Sequence, residues 1–145
     1  MKLKIKKLDE RAIIPTYSTP YAAGADIYAL PAGDITVEAG QTVLFHTGLC
    51  AEIPEGYGGF IYARSGLASK RGLAPANKVG VIDSDYRGEI MVALHNHSDA
   101  AQTVLSGERI AQLVIAPYIK AEFEETDDLS DTARGEGGFG STGRK

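Results

Sequence analysis

Gly, Pro and the small turn formers Asn, Asp and Ser recur so closely along this chain that no window of a dozen residues keeps the apolar spacing of an amphipathic helix. Pro31-Ala32-Gly33-Asp34, Glu38-Ala39-Gly40, Pro54-Glu55-Gly56, Asn96-His97-Ser98-Asp99 and Ser106-Gly107 each mark a reversal. Between them the apolar period is that of a strand. Leu3 and Ile5 alternate with lysines, Ile90, Val92 and Leu94 with Met91, Ala93 and His95, and Phe123 stands between Glu122 and Glu124. The pattern predicts an all-β domain of many short, mostly antiparallel strands, arranged as a sandwich, jelly roll or barrel.

The 145 residues leave room for one hydrophobic core. Five glycines fall within the last eleven residues, behind the polar stretch Glu124-Glu125-Thr126-Asp127-Asp128. Such a composition cannot bury enough apolar surface to order itself. We therefore divide the chain into a β-rich core, 1–123, and a mobile tail, 124–145. Thr42-Val43-Leu44-Phe45 and Ile110-Ala111-Gln112-Leu113-Val114-Ile115 are apolar on successive residues apart from Thr42 and Gln112, so both faces of these strands need cover. Either a partner subunit or a thick sandwich with a central strand supplies it.

A single cysteine, Cys50, excludes an internal disulfide and a Cys-ligated zinc site, and fits a reducing, cytoplasmic setting. Fifteen Lys and Arg against nineteen Asp and Glu leave a formal charge of −4, which argues against a nucleic-acid binder. No apolar run approaches the length of a membrane span or a signal peptide, so no membrane partner is expected.

Four segments can carry chemistry. The tail matches G-x-G-x-x-G twice, at 135–140 and 138–143, but lacks the strand and helix that a dinucleotide fingerprint needs. It is either a linker or a backbone wrap for an anion, with Arg134 and Phe139 to hand. Arg64-Ser65-Gly66, at the end of the strand Phe60-Ile61-Tyr62-Ala63, is a plain turn or a phosphate cradle of guanidinium, hydroxyl and backbone N–H. In Asn77 to Gly88, Asp83 follows the apolar pair Val81-Ile82, a place where restricted water access suits a general base. The alternative is an Asp-Ser-Asp turn that caps itself. His95 and His97 share a strand face and, with His46, make a weak candidate metal set.

Taken in order, Ala23-Gly24-Ala25-Asp26-Ile27, Ala63-Arg64-Ser65-Gly66-Leu67-Ala68, Gly80-Val81-Ile82-Asp83-Ser84-Asp85-Tyr86-Arg87-Gly88, Gly107-Glu108-Arg109-Ile110-Ala111-Gln112-Leu113 and Arg134-Gly135-Glu136-Gly137-Gly138-Phe139-Gly140-Ser141-Thr142-Gly143 resemble the five motifs of the trimeric dUTP nucleotidohydrolase (dUTPase) family. Ala25 and Ala63 stand where the family often has a larger residue and proline. The resemblance implies a jelly-roll-like (β-clip) subunit in a homotrimer, with shared sites closed by the tail of another subunit. It implies Mg²⁺-dependent hydrolysis of dUTP to dUMP and pyrophosphate, which keeps uracil out of DNA and supplies dUMP for thymidylate synthesis.

Carried over residue by residue, the resemblance makes Asp83 the base that activates water for attack at the α-phosphorus. Arg64, Ser65, Gly66, Gln112, Arg134, Gly140, Ser141 and Thr142 would hold the phosphates. Asn77, Gly80, Ile82 and Met91 would enclose uracil, Tyr86 would pack under deoxyribose and Phe139 would stack on the base. Asp26 would reach Mg²⁺ through water. Two rivals stand beside this reading: a dCTP deaminase, which works on the base and would release ammonia, and a dUTP-binding sensor, which would bind without forming product.

Overall fold

The computed structural model describes residues 1–138. Among these, eleven strands and one short helix follow in the order β1 (Lys4–Lys7), β2 (Ala25–Tyr28), β3 (Ile35–Val37), β4 (Thr42–His46), β5 (Leu49–Glu52), β6 (Tyr57–Tyr62), α1 (Ser65–Arg71), β7 (Leu73–Pro75), β8 (Gly80–Ile82), β9 (Met91–Asn96), β10 (Gln102–Val104) and β11 (Arg109–Pro117). The fold is all-β, as the punctuation of the sequence predicts.

Two larger sheets enclose the core, a four-stranded one ordered β2-β11-β6-β8 and a three-stranded one ordered β4-β9-β7. Two-stranded ribbons, β1-β5 and β10-β3, complete the described structure. All of these pairs are antiparallel. Strand alternation sorts the side chains: Val92 and Leu94 of β9 point inward to join Ile27, Phe45, Leu73 and Ile110, while Met91 lies on the outer face. The single buried amide, Asn96, donates to the carbonyls of Val37 and Ala100 at 2.9 and 2.8 Å and accepts from the Ser98 backbone N–H and hydroxyl. Its polar cost is thereby met, and it fixes the turn that follows β9.

Two local features depart from the sequence reading. The Arg64-Ser65-Gly66 turn is instead the entry to α1, which ends on Gly72 in the left-handed conformation at φ 67°. A side chain at Gly72 would also meet the Ser98 backbone nitrogen at 2.9 Å, so packing and backbone both demand glycine. Phe123 is not in a strand: it is 94% exposed and has no ladder partner among the described residues. The outer face of β4 is uncovered in the single chain, with Leu44 52% exposed.

Among the described residues, the last backbone hydrogen bond between the body and the C-terminal stretch runs from Tyr118 N–H to the Gly56 carbonyl, 3.0 Å. Residues 119–136 are exposed throughout.

Candidate active site

One half of the predicted site grows from a β-bulge. In the β11–β2 ladder Arg109 opposes Tyr28 and Ala111 opposes Ile27, so Ile110 is the extra residue. In a regular strand Arg109 and Gln112, three apart, would lie on opposite faces; with the bulge, both join Asp26 and Tyr28 on one face. There the Asp26 carboxylate accepts from Arg64 Nε at 2.8 Å, from Arg109 Nη1 at 3.1 Å and from the Ser18 hydroxyl at 3.0 Å. Asp26 is 6% exposed. Burial pushes its carboxyl up, but the hydrogen bonds from Ser18, Arg64 and Arg109 outweigh it and hold the group below the usual range.

Above this ion triad lies a polar cleft of about 320 Å³, whose walls include Gly24, Asp26, Arg64, Ser65, Gly66 and Gln112. Arg64 is thereby oriented by Asp26, and Gln112 is oriented by donating to the Ala63 carbonyl at 2.8 Å. A Cβ at Gly24 would come within 2.5 Å of Gln112 Oε1 and 3.2 Å of its Cβ, so a side chain there would displace the Gln112 amide. Gly66 is the opposite case. Nothing lies within 4 Å of where its Cβ would be. No side chain caps the start of α1, so its first backbone N–H groups remain available to an anion.

The other half forms where the chain crosses between the two sheets. β7 pairs with β9, then a tight turn with Lys78 at φ 65° delivers β8 to β6. Asn77, Gly80, Ile82, Asp83, Tyr86 and Met91 line the resulting cleft, also of about 320 Å³, together with residues of β4, β6 and β9. A Cβ on Gly80 would sit 3.2 Å from Ile61 Cβ and 3.4 Å from Asn77 Nδ2, so any side chain there crowds the cleft. The Tyr86 hydroxyl donates to the Glu89 carbonyl at 2.9 Å.

Asp83 is exposed in the single chain, contrary to the expectation of restricted water access. Alternation along β8 is the reason: Ile82 turns into the core and the next residue turns out.

The two halves share no lining residue. Arg134 joins neither. It lies in an exposed tail turn, where its Nε donates to the Gly137 carbonyl at 2.7 Å. Phe139, Gly140, Ser141 and Thr142 lie outside the described residues.

The three histidines do not converge, because the β4–β9 register sets His95 opposite Thr42 and His46 opposite Met91. His95 Nδ1 pairs with the Thr42 hydroxyl at 2.9 Å, and burial followed by the nearby His95 and Lys78 charges lowers the His97 pKa. Among the described residues no group of three or more His, Cys, Asp or Glu is gathered as metal ligands. Ser18, Arg109 and Glu89 are the contacts that sequence reading missed. Arg109 stands in a quoted motif, but its partner is 83 residues away.

The sequence profile of the dUTPase family matches residues 10–143. The chain belongs to the dUTPase family. Curated relatives agree along its whole length: it is 54% identical over 144 residues to the deoxyuridine 5'-triphosphate nucleotidohydrolase of Nautilia profundicola, covering 99% of this chain and 100% of that one. It is 48% identical to the protein of the same name from a Hydrogenobaculum species, covering 100% of both.

Among solved dUTPases, a point mutant from Staphylococcus bacteriophage 80alpha with dUpNHpp superposes with a TM-score of 0.89 at 29% identity, over 98% of both chains. A point-mutant dUTPase of phage phi11 of S. aureus, whose structure details the coordination of a structural Mg(II) ion, superposes at 0.79 with 26% identity, over 89% of this chain and 99% of that one. As a dUTPase the chain is a nucleotidohydrolase that acts on dUTP to give dUMP.

Proposed function

We propose that this dUTPase hydrolyses dUTP at the α-phosphorus with water activated by Asp83, in a homotrimer whose sites combine the two clefts of different copies. The carrying observation is their division of labour. Asp83 and the base- and sugar-facing residues line one cleft, while Asp26, Arg64, Ser65, Gly66 and Gln112 line the other, with no residue in common. A nucleoside triphosphate needs both, and apposition of two copies is the simplest way to present both to one ligand. The uncovered Leu44 of β4 is consistent with such apposition.

In this reading the Asp83 carboxylate accepts a proton from water as its oxygen attacks the α-phosphorus. The bond to the bridging oxygen breaks and pyrophosphate leaves. Fixed donors meet the charge that develops on the phosphates: Arg64, the Ser65 hydroxyl, the Gly66 N–H and the second amide hydrogen of Gln112, completed by Arg134, Gly140, Ser141 and Thr142 of a neighbour's tail. Uracil enters against Asn77, Gly80, Ile82 and Met91, and rejection of thymine follows from a pocket too tight for its 5-methyl group. Tyr86 packs under the deoxyribose and denies space to a 2′-hydroxyl. Phe139 stacks on the base once the tail closes and excludes bulk water.

Mg²⁺ fits this donor set only at a distance. Asp26 is the one carboxylate lining the phosphate cleft, and three donors already occupy it, leaving about one of its four lone-pair sites for a metal-bound water. Bound mainly by phosphate oxygens and water, the ion would neutralise triphosphate charge. The physiological reading is a cytoplasmic enzyme that keeps uracil out of DNA and supplies dUMP for thymidylate synthesis.

The test is pyrophosphate release from dUTP, dTTP, dCTP and UTP in parallel, with Mg²⁺ and with a chelator. Release from dUTP alone, suppressed by the chelator, is expected. Silence with dUTP from folded protein would overturn the hydrolytic reading in favour of a binding protein, and ammonia from dCTP would replace it with deamination.

A further inference from the structure

Glu89 borders the base and sugar cleft, yet its carboxylate is turned away from solvent into a network of its own. One oxygen accepts from the backbone N–H groups of Thr47 and Gly48, at 3.2 and 2.8 Å, and the other pairs with His46 Nδ1 at 2.9 Å. Burial pushes this carboxyl up, but the bonds from His46, Gly48 and Thr47 outweigh it and hold it ionised at lower pH. The same residue's carbonyl is the acceptor for the Tyr86 hydroxyl at 2.9 Å. Glu89 therefore grips the rigid turn between β4 and β5 with its side chain and the tyrosine with its backbone.

The Tyr86 hydroxyl makes no other hydrogen bond among the described residues. Tyr86 is 40% exposed, and it folds over Gly88, where any Cβ would overlap its hydroxyl and ring. Residues 83–88 form a largely exposed loop, whose first turn is closed by the Tyr86 N–H on the Asp83 carbonyl at 3.2 Å. The height of the ring above the cleft floor thus depends on where the Glu89 carbonyl stands, and that is fixed by the carboxylate.

We infer that Glu89, anchored by His46 and the Thr47-Gly48 N–H pair, is a positioning residue that sets the sugar discrimination of Tyr86. The inference rests on the proposed role of Tyr86 against deoxyribose. A loosened Glu89 lets the ring move away from the cleft, which makes room for a 2′-hydroxyl and weakens packing under deoxyribose.

Glu89→Ala, Glu89→Gln and Glu89→Asp are to be compared with the unaltered protein by kcat/KM for dUTP and for UTP. The ratio of the two does not depend on the fraction of protein folded, so it separates positioning from mere support of the turn. Glu89→Ala is expected to lower the ratio by about tenfold, through a higher KM for dUTP and a lower one for UTP, with kcat for dUTP changed by less than about threefold. Glu89→Gln keeps an acceptor for the two N–H groups and offers its amide group to His46 Nδ1, so it should restore the ratio to within about twofold.

An unchanged ratio in Glu89→Ala, or a Gln variant no better than Ala, overturns the inference. If Glu89→Ala does not fold, Glu89→Asp decides in its place: one methylene shorter, it cannot span both anchors, and an unchanged ratio again overturns the inference. If the unaltered protein does not cleave dUTP, the proposed function fails and takes this inference with it. Cleavage with an unchanged ratio refutes only the role of Glu89.

Discussion

Replacing Asp26 by Asn removes one negative charge from between two guanidiniums and barely changes volume. The Asn oxygen can still accept from Arg64 Nε at the present 2.8 Å, and the Ser18 hydroxyl can rotate to accept from the new NH₂ group. The Arg109 contact cannot adapt, because an NH₂ group would face Nη1 across 3.1 Å, donor against donor. Charge-assisted hydrogen bonds contribute about 1.5–3 kcal/mol each. The Arg64 bond loses roughly half of that, and the Arg109 bond is discounted because its side chain is 48% exposed and can turn to water. The expected loss is about 2 kcal/mol at neutral pH.

Urea unfolding at matched protein concentration measures this loss. The pH dependence carries the sign. Asp26 titrates below its ordinary value in the folded state, so the unfolded chain binds its proton first as pH falls. The stability it contributes is complete above the unfolded carboxyl pKa of about 3.9 and is lost as pH falls through the lower folded value. The Asn variant has no such term, so the gap between the two proteins must narrow below about pH 4. No gap at neutral pH, or one that stays constant into acid, would refute the assignment of Asp26 as the ionised anchor of Arg64.

Asp83→Asn should lower kcat by roughly a hundredfold or more while dUTP still binds, measured by single-turnover hydrolysis beside equilibrium binding; near-normal turnover removes Asp83 from the mechanism. Gly66→Ala meets nothing in the free chain and lies in a helix, so its stability should hold or rise by up to about 1 kcal/mol in urea titration. Its KM for dUTP should nevertheless rise, and an unchanged KM would mean that no phosphate approaches that backbone. Truncation after Asp131 should abolish most activity and leave the assembly intact by sedimentation, whereas full activity would make the tail a linker.

The elements that the sequence displays are those governed by neighbours in the chain. β9 alternates as its residues say, and the five turn segments lie between or beside strands. The helix α1 escapes because it has only seven residues and buries a single one, Leu67, too little for a periodic signal. The candidate site is legible as residue types through the motif resemblance but not as an arrangement. Nothing local announces that Ile110 is a bulge, and so nothing announces that Arg109 turns toward Asp26. Glu89 and His46 are similarly silent, since their meeting depends on a register 43 residues long. Asp83 is exposed in the single chain although its two apolar neighbours suggest shelter, because only alternate strand residues share it.

The passage of the chain from β7 to β8 places the walls of the base cleft in two different sheets, with β4, β7 and β9 on one side and β6 and β8 on the other. A molecule lodged there is also a clamp, since it touches both layers of the sandwich and is released when they part. Saturation therefore appears as resistance to unfolding, about 2.7 kcal/mol at a free ligand concentration a hundred times Kd. Nucleotide supply and the lifetime of the folded protein are in this way coupled by the route of one short connection.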